Sequence, residues 1–288
     1  MKPELECASC LMTWLVERVA VSGRNNDCFD VVRSVSGMIR DKFYPSANIG
    51  SMANKSIEIA GRLITESAEH FQTIKTGNNQ LAQRTLPVAR NFVDNAETTE
   101  IGFHRACVLA AAGNVAPIGL PSGSFAFDEV ENILKSENTF PVSREDIDNA
   151  VQGSSHVLYL TDNSGEIGFD SLVLAKLKEM GKTITLVVKD GHFFEDATLD
   201  DVSVFGLESI VDRVLTVEGF FVPDEISAPL QEAFEESDLV VCKGTGNFEG
   251  LADETHGKNT IFMLKIKCGP IARKLGMEIG SFVVKLDP

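Results

Sequence analysis

The chain has 288 residues, with 42 acidic side chains against 26 basic ones and a formal net charge of −16 at pH 7. An excess of that size repels polyanions, so a nucleic-acid or anionic-membrane surface is not the expected main partner. With 43% hydrophobic and 24% charged residues, the composition is that of a globular protein with a sizeable core, long enough for two domains or one large one.

The start, Met1-Lys2-Pro3-Glu4-Leu5-Glu6, lacks the apolar core of a secretory signal. The longest apolar stretch, 106–120, is interrupted by Gly113, Asn114 and Pro117 and falls short of the roughly 20 residues a bilayer span needs. A cytoplasmic location is expected. Six cysteines, Cys7, Cys10, Cys28, Cys107, Cys242 and Cys268, are spread thinly, so reduced thiols are expected. Only Cys7 and Cys10 have ligand-like spacing, and no second such pair accompanies them. Two helix-face thiols are therefore favoured over a metal or redox role.

From the start to about residue 150 the periodicity is helical. Leu11, Met12, Leu15, Val16 and Val19 line one face, as do Ile57, Ala60, Ile64, Ala68 and Phe71. Clusters such as 44–48 (Tyr-Pro-Ser-Ala-Asn) and 76–79 (Thr-Gly-Asn-Asn) read as punctuation between helices. The segment 1–150 is thus expected to be a helical domain, with the boundary within 136–155, around Ser143 or Gly153. Beyond it, short β-rich runs alternate with helical stretches, which predicts an α/β domain over 151–288 with a mainly parallel sheet covered by helices. Strands are expected near 156–161, 183–189, 210–217, 238–242, 260–266 and 281–285, and helices over 168–180, 197–205, 227–236 and 269–275. No internal repeat is visible.

In such a domain ligands bind outside the carboxyl ends of the strands. Residues there form one coherent chemical set. Asp162, Asn163 and Glu166 follow the first expected strand, and Asp190 and Asp196 follow the second. Lys243, Gly244, Gly246, Asn247 and Glu249 follow the fourth, and Lys265 and Lys267 end the fifth. Carboxylates with an amide carbonyl suit a hard divalent cation, while ammonium groups and glycine-flanked N–H donors suit a phosphate. Each piece has a plainer explanation: Asp162, Asn163 and Asp196 could cap helices, and the Gly-Thr-Gly run lacks a third fingerprint glycine. Asp238 precedes its strand and reads as a structural cap at the opposite edge. The gathering of these residues on one rim carries the inference, not any single one.

The motifs at 162–166, 189–191, 195–198, 237–240 and 243–249, with Leu264-Lys265-Ile266-Lys267-Cys268, the Cys7/Cys10 pair and Ala112-Gly113-Asn114, resemble the DUF89 family, most closely its archaeal and bacterial-type branch. That family contains metal-dependent damage-control phosphatases. The resemblance implies a helical N-terminal domain set against a Rossmann-like three-layer α/β/α domain. It also implies hydrolysis of phosphate esters of small metabolites at a divalent cation, Mg, Mn, Co or Ni. Its metal ligands fall on Asp162, Asn163 and Asp196, and its phosphate-side basic residue on Lys267. The family's usual Asp after the Gly-Asn pair is replaced here by Pro117.

On this reading Asp162, Glu166 and Lys267 carry the chemistry, with Lys243, Gly244, Gly246, Asn247 and Glu249 on the phosphate. Lys265 and Lys267 are expected to serve different faces. Either metal-bound water or Asp162 itself is the nucleophile. The competing classes are a non-catalytic binder of a phosphorylated metabolite or nucleotide and, less well supported, a methyltransferase.

Overall fold

The computed structural model describes residues 1–22, 24–115, 127–136, 144–254 and 256–287. Pro117 and Ser143, singled out above, lie outside them. The N-terminal segment folds into helices α1 (Leu5–Ala20), α2 (Asn25–Lys42), α3 (Ile49–Glu66), α4 (Ala68–Asp94), α5 (Thr99–Ala112), α6 (Asp128–Ser136) and α7 (Arg144–Gln152). On α1 the buried residues Cys7, Leu11, Leu15, Arg18 and Val19 recur at the spacing of one helix face. The 44–48 cluster does separate two helices, and Asn48 caps α3 by accepting from Ser51 N at 3.1 Å.

The 76–79 cluster does not break the chain: it lies inside α4, which also accommodates Pro87. Tertiary bonds override local propensity there. Asn79 donates to Asp201 Oδ1 at 2.7 Å and accepts from Gly165 N at 2.7 Å, so this polar stretch of α4 grips the turn that follows the first strand.

The α/β half runs β1 (His156–Leu160), α8 (Glu166–Glu179), β2 (Thr183–Lys189), α9 (Leu199–Val204), β3 (Arg213–Val217), α10 (Ala228–Glu236), β4 (Leu239–Lys243), α11 (Gly244–Leu251), β5 (Asn259–Lys265), α12 (Gly269–Leu275) and β6 (Phe282–Asp287). Strand order is β3-β2-β1-β4-β5-β6, parallel throughout except for β6, which pairs antiparallel with β5. Compared with the sequence reading, β3 starts three residues later. In addition, 244–251 is a helix, which the sequence reading did not list.

Alternation along the strands sorts the core into two faces. Val157, Tyr159, Leu186, Val188, Val241 and Met263 share one apolar cluster with α8 and with α5 of the N-terminal segment. Leu158, Leu160, Val187, Val240, Cys242 and Phe262 face α10, α11 and the start of α1 and α3. The core is therefore continuous across residue 150. This explains why α5 and α8 are buried nearly all round: each sits between the sheet and further helices. Order reverses between β1 and β4, so the carboxyl ends of those strands open a crevice at the switch point.

Candidate active site

The chain leaves β1 through Thr161, whose N and Oγ1 both bond Val187 O, at 3.1 and 2.8 Å, and turns at Asp162. A second segment, 195–197, is stitched alongside: Ala197 N donates to Asp162 O at 2.8 Å and Ser164 N to Glu195 O at 2.9 Å. An isolated bridge joins Asn163 to Asp196. Backbone pairing thus brings Asp162, Asn163 and Asp196 together, and all three line one cavity. None of them caps a helix. Gly165 precedes α8 with no side-chain cap, and the cap before α9 is Thr198, which shares a capping box with Asp201.

Asp162 accepts from Asn114 Nδ2 and Asn163 Nδ2, each at 2.7 Å and each on Oδ2. Asn163 also donates to Glu166 Oε2 at 3.2 Å, which fixes its amide with the carbonyl oxygen as the remaining acceptor. Asp196 Oδ2 is buried without a hydrogen-bond partner among the described residues, 3.7 Å from Lys189 Nζ. Burial, then the Glu166 charge, raises Asp162 to about 6 against the pull of Lys267, Lys189 and Lys243. Burial also raises Asp196 well above the usual range, with Lys189 opposing and Asp162 adding to it.

Gly244 closes this wall. It has φ +78°, and a Cβ there would collide with the Asp162 carboxylate, so only glycine lets the start of α11 approach so closely. Among the described residues no three His, Cys, Asp or Glu side chains gather closely enough to hold an ion unaided. The donor set is instead two carboxylates and an amide oxygen. Hard oxygen atoms, an orphaned buried Asp196 oxygen and raised carboxylate pKa values fit a hard divalent cation.

The lysines separate by what holds them. Lys243, expected on the phosphate, is completely buried: its Nζ donates to Glu166 Oε1 at 2.7 Å and Asp170 Oδ1 at 2.8 Å. Burial opposes its charge, but Asp170 and Glu166 hold it protonated above the ordinary lysine range. That expectation is corrected, because the ammonium neutralises carboxylates beneath the cavity and does not reach it. Glu166 changes with it. Both its oxygens are bonded within this buried network, so it positions Asp162 and Asn163 rather than touching a ligand.

Lys189 donates to Gly219 O at 2.8 Å. Lys265 points away to Glu129 at 3.8 Å and the Phe282 ring at 5.2 Å. In an unbroken strand residues two apart share a face, so Lys267 is parted from Lys265 by the end of β5. Lys267 lines the cavity and makes no ion pair within 4 Å among the described residues. Burial lowers its pKa, while Asp162, Glu166 and Glu195 pull it back up.

The remaining expected residues divide. Gly246 lines the cavity, where a Cβ would strike the Phe220 ring. Asn247 is buried and fully engaged, donating to Thr161 O and Lys243 O at 2.8 and 3.0 Å and accepting from Phe221 N at 3.2 Å, so its side chain braces the turn and does not meet a phosphate. Glu249 lines the cavity beside Cys7 and Cys10, and burial raises it to about 7 against the Met1 amino group. Asp190 faces an outer groove instead. Sequence reasoning missed Asn114's clamp, Asp170, and the cavity walls Trp14, Arg18, Glu195 and Phe220. Two signals were present: Glu166 and Asp170 stand i, i+4 among apolar residues in the first half of α8, and Arg18 interrupts the apolar face of α1.

Comparison with known proteins agrees with this architecture. A family model described as the damage-control phosphatase ARMT1-like domain matches residues 4–283. A damage-control phosphatase of Archaeoglobus fulgidus is 29% identical over 290 residues, covering 99% of both chains. A damage-control phosphatase of Pyrococcus horikoshii is 27% identical over 287 residues, covering 98% of this chain and 97% of its own. The crystal structure of a DUF89 family protein from Pyrococcus horikoshii superposes with a TM-score of 0.79 at 24% identity, covering 99% of this chain and 98% of that one, and so shares the fold. The chain belongs to the ARMT1-like damage-control phosphatase domain family.

Proposed function

We propose that the protein is a divalent-metal-dependent phosphatase acting on phosphate esters of small metabolites, with its chemistry in the cavity between β1, β4 and α1. The observation that carries this reading is the Lys267 ammonium, which makes no ion pair among the described residues, in the same cavity as three oxygen donors, Asp162, Asn163 and Asp196. Asp162 Oδ1, Asn163 Oδ1 and Asp196 would hold the cation. When bound, the cation neutralises phosphate oxygens and lowers the barrier to attack at phosphorus. Lys267 holds the charge that remains on the transferring group. Thr245 and Gly246 close the cavity at the start of α11.

Asn114 and Asn163 fix the Asp162 carboxylate, Glu166 accepts from both of those amides, and Lys243 with Asp170 fixes Glu166, so the positioning charge lies below the reacting centre. Asp162 is the carboxylate placed to act on phosphorus, directly or through a water it activates.

Among the described residues no helix is long and apolar enough to cross a membrane. All six cysteines are free, which supports a reducing, cytoplasmic setting. The Cys7/Cys10 pair supports the archaeal and bacterial-type branch of the family. The test is release of inorganic phosphate from a metabolite panel after exhaustive chelation and on return of Mg²⁺, Mn²⁺, Co²⁺ or Ni²⁺. Cation-restored turnover is expected; hydrolysis undiminished by chelation would overturn the metal mechanism, and phosphate binding without turnover would make the protein a binder.

A further inference from the structure

A second polar feature opens on the cavity, apart from the groups assigned above. Arg18 of α1 and Glu195 form an ion pair whose side chains are 7% and 3% exposed. Arg18 is held on several sides: Nη1 donates to Trp14 O at 3.4 Å, and the guanidinium lies 5.0 Å from the Trp14 ring centre and 5.5 Å from that of Phe194. Its Nη2 donates to Glu195 Oε1. The other oxygen, Glu195 Oε2, is buried and has no hydrogen-bond partner among the described residues.

An unpaired buried acceptor is costly, more so when charged, so an arrangement that fixes one oxygen and leaves the other bare suits a donor that arrives with a ligand. The location is specific. Glu195 O accepts from Ser164 N at 2.9 Å, which ties this carboxylate to the turn carrying Asp162 and Asn163. The neighbouring wall is apolar, formed by Leu11, Trp14, Ile49, Ala53 and Phe220. Because Arg18 balances its charge, Glu195 adds little repulsion toward an incoming phosphate.

We propose that Glu195, oriented by Arg18, determines specificity: its Oε2 accepts a hydrogen bond from a hydroxyl or amino group on the leaving group of the phosphate ester, whose carbon skeleton lies against Trp14 and Phe220. The inference rests on the phosphatase reading above. An ester that lacks such a donor leaves Oε2 desolvated and unpaired, and it is rejected for that reason rather than for its size.

The experiment compares kcat/KM for glycerol 3-phosphate and n-propyl phosphate, which share a three-carbon skeleton and differ in hydroxyl groups. The wild-type protein is expected to favour glycerol 3-phosphate by roughly 100-fold or more. Glu195→Ala should lower that ratio at least about tenfold, and Glu195→Gln, which keeps an acceptor oxygen, should restore part of it. A merely structural role would slow both esters together and leave the ratio in place.

Equal hydrolysis of the two esters by the wild type overturns the proposal, and this arm decides even if the variants do not fold. An unchanged ratio in folded Glu195→Ala overturns it as well. So does loss of Mn²⁺ affinity in that variant by calorimetry, which would make Glu195 a cation ligand. Failure to hydrolyse either ester or p-nitrophenyl phosphate with any cation removes the phosphatase reading itself, and the specificity role with it.

Discussion

The two edges of the sheet carry the same residue type in opposite states. At the amino edge, Asp238 accepts from Ser155 N and His156 N at 2.8 and 2.9 Å, and Asp212 accepts from Lys178 at 2.6 Å and Ile184 N at 2.9 Å. Backbone donors from His156 and Ser155 lower Asp238, and Lys178 and the Ile184 N–H lower Asp212. At the carboxyl edge, Asp162 and Asp196 are buried beside other carboxylates and raised. A carboxylate with donors and partial exposure stabilises the fold by being charged. One that is buried beside other carboxylates costs the fold stability for as long as it is charged.

The largest expected effect breaks the carboxyl edge. Asp162→Ala or Asp196→Ala should lower kcat/KM by more than about 10³-fold, since several kcal/mol of transition-state stabilisation depends on the cation they would hold. Cation affinity should fall with it, while the chelated protein keeps or slightly raises its Tm because one of several crowded carboxylates is gone. A strongly lowered Tm in the chelated protein would assign these residues to the scaffold, like Asp238.

Lys267→Ala should come next, lowering kcat/KM by roughly 10²–10³-fold with cation affinity intact, as expected for one preorganised charge acting mainly in the transition state. Lys265→Ala should change it far less, because that ammonium serves Glu129 and Phe282 outside the cavity. Phosphate release by the two variants, measured side by side, checks the assignment. A reversed ranking would place the wrong lysine on the substrate.

That pair shows what was legible in the sequence. The rule that ligands meet strand carboxyl ends picked out Asp162, Asn163, Asp196 and Lys267, which the fold gathers around one cavity, because it needs only strand positions, and those follow from short apolar runs. It also put Lys243 on the substrate, which is where it failed. Whether a lysine at a strand end faces out or down depends on what lies beneath, and the buried partners Glu166 and Asp170 belong to α8, more than seventy residues away in sequence. The 76–79 stretch was misread for a related reason: its Asn79 bonds across the molecule to Gly165 and Asp201, and local propensity carries no trace of those bonds. Helical periodicity separated two textures at residue 150, but it could not show that α5 completes the layer over the sheet.

The two edges also predict opposite responses to pH in the chelated protein. Folded Asp162 holds its proton up to about 6 instead of 3.8, so the folded state binds protons more tightly than the unfolded state in that window, and stability falls as pH rises through it. For one such group the fall is on the order of 1–3 kcal/mol. Asp212 and Asp238 act the other way: the stability they add is present above their unfolded pKa and is lost as pH drops through their lowered folded values. Melting curves from about pH 4 to pH 6 should therefore show Tm falling in the wild type, with a shallower fall in Asp162→Asn. Identical slopes would mean that Asp162 titrates as an ordinary surface carboxylate.

The smallest effect is expected at the amino edge, where it sharpens the contrast. Asp238 is half exposed and bonds two successive N–H groups at the start of β1, so its loss leaves those donors to water rather than buried. Asp238→Ala should therefore destabilise by only about 1 kcal/mol, or roughly 2–4 °C in Tm for a chain of this size. It should leave kcat/KM and cation affinity at wild-type values, because Asp238 stands at the opposite end of β4 from Lys243 and Gly244. The same substitution at Asp162, one residue type at the other edge, should give the inverse pattern, with activity lost and Tm kept. If Asp238→Ala slowed catalysis as Asp162→Ala does, the division of the sheet into a bracing edge and a reacting edge would fail.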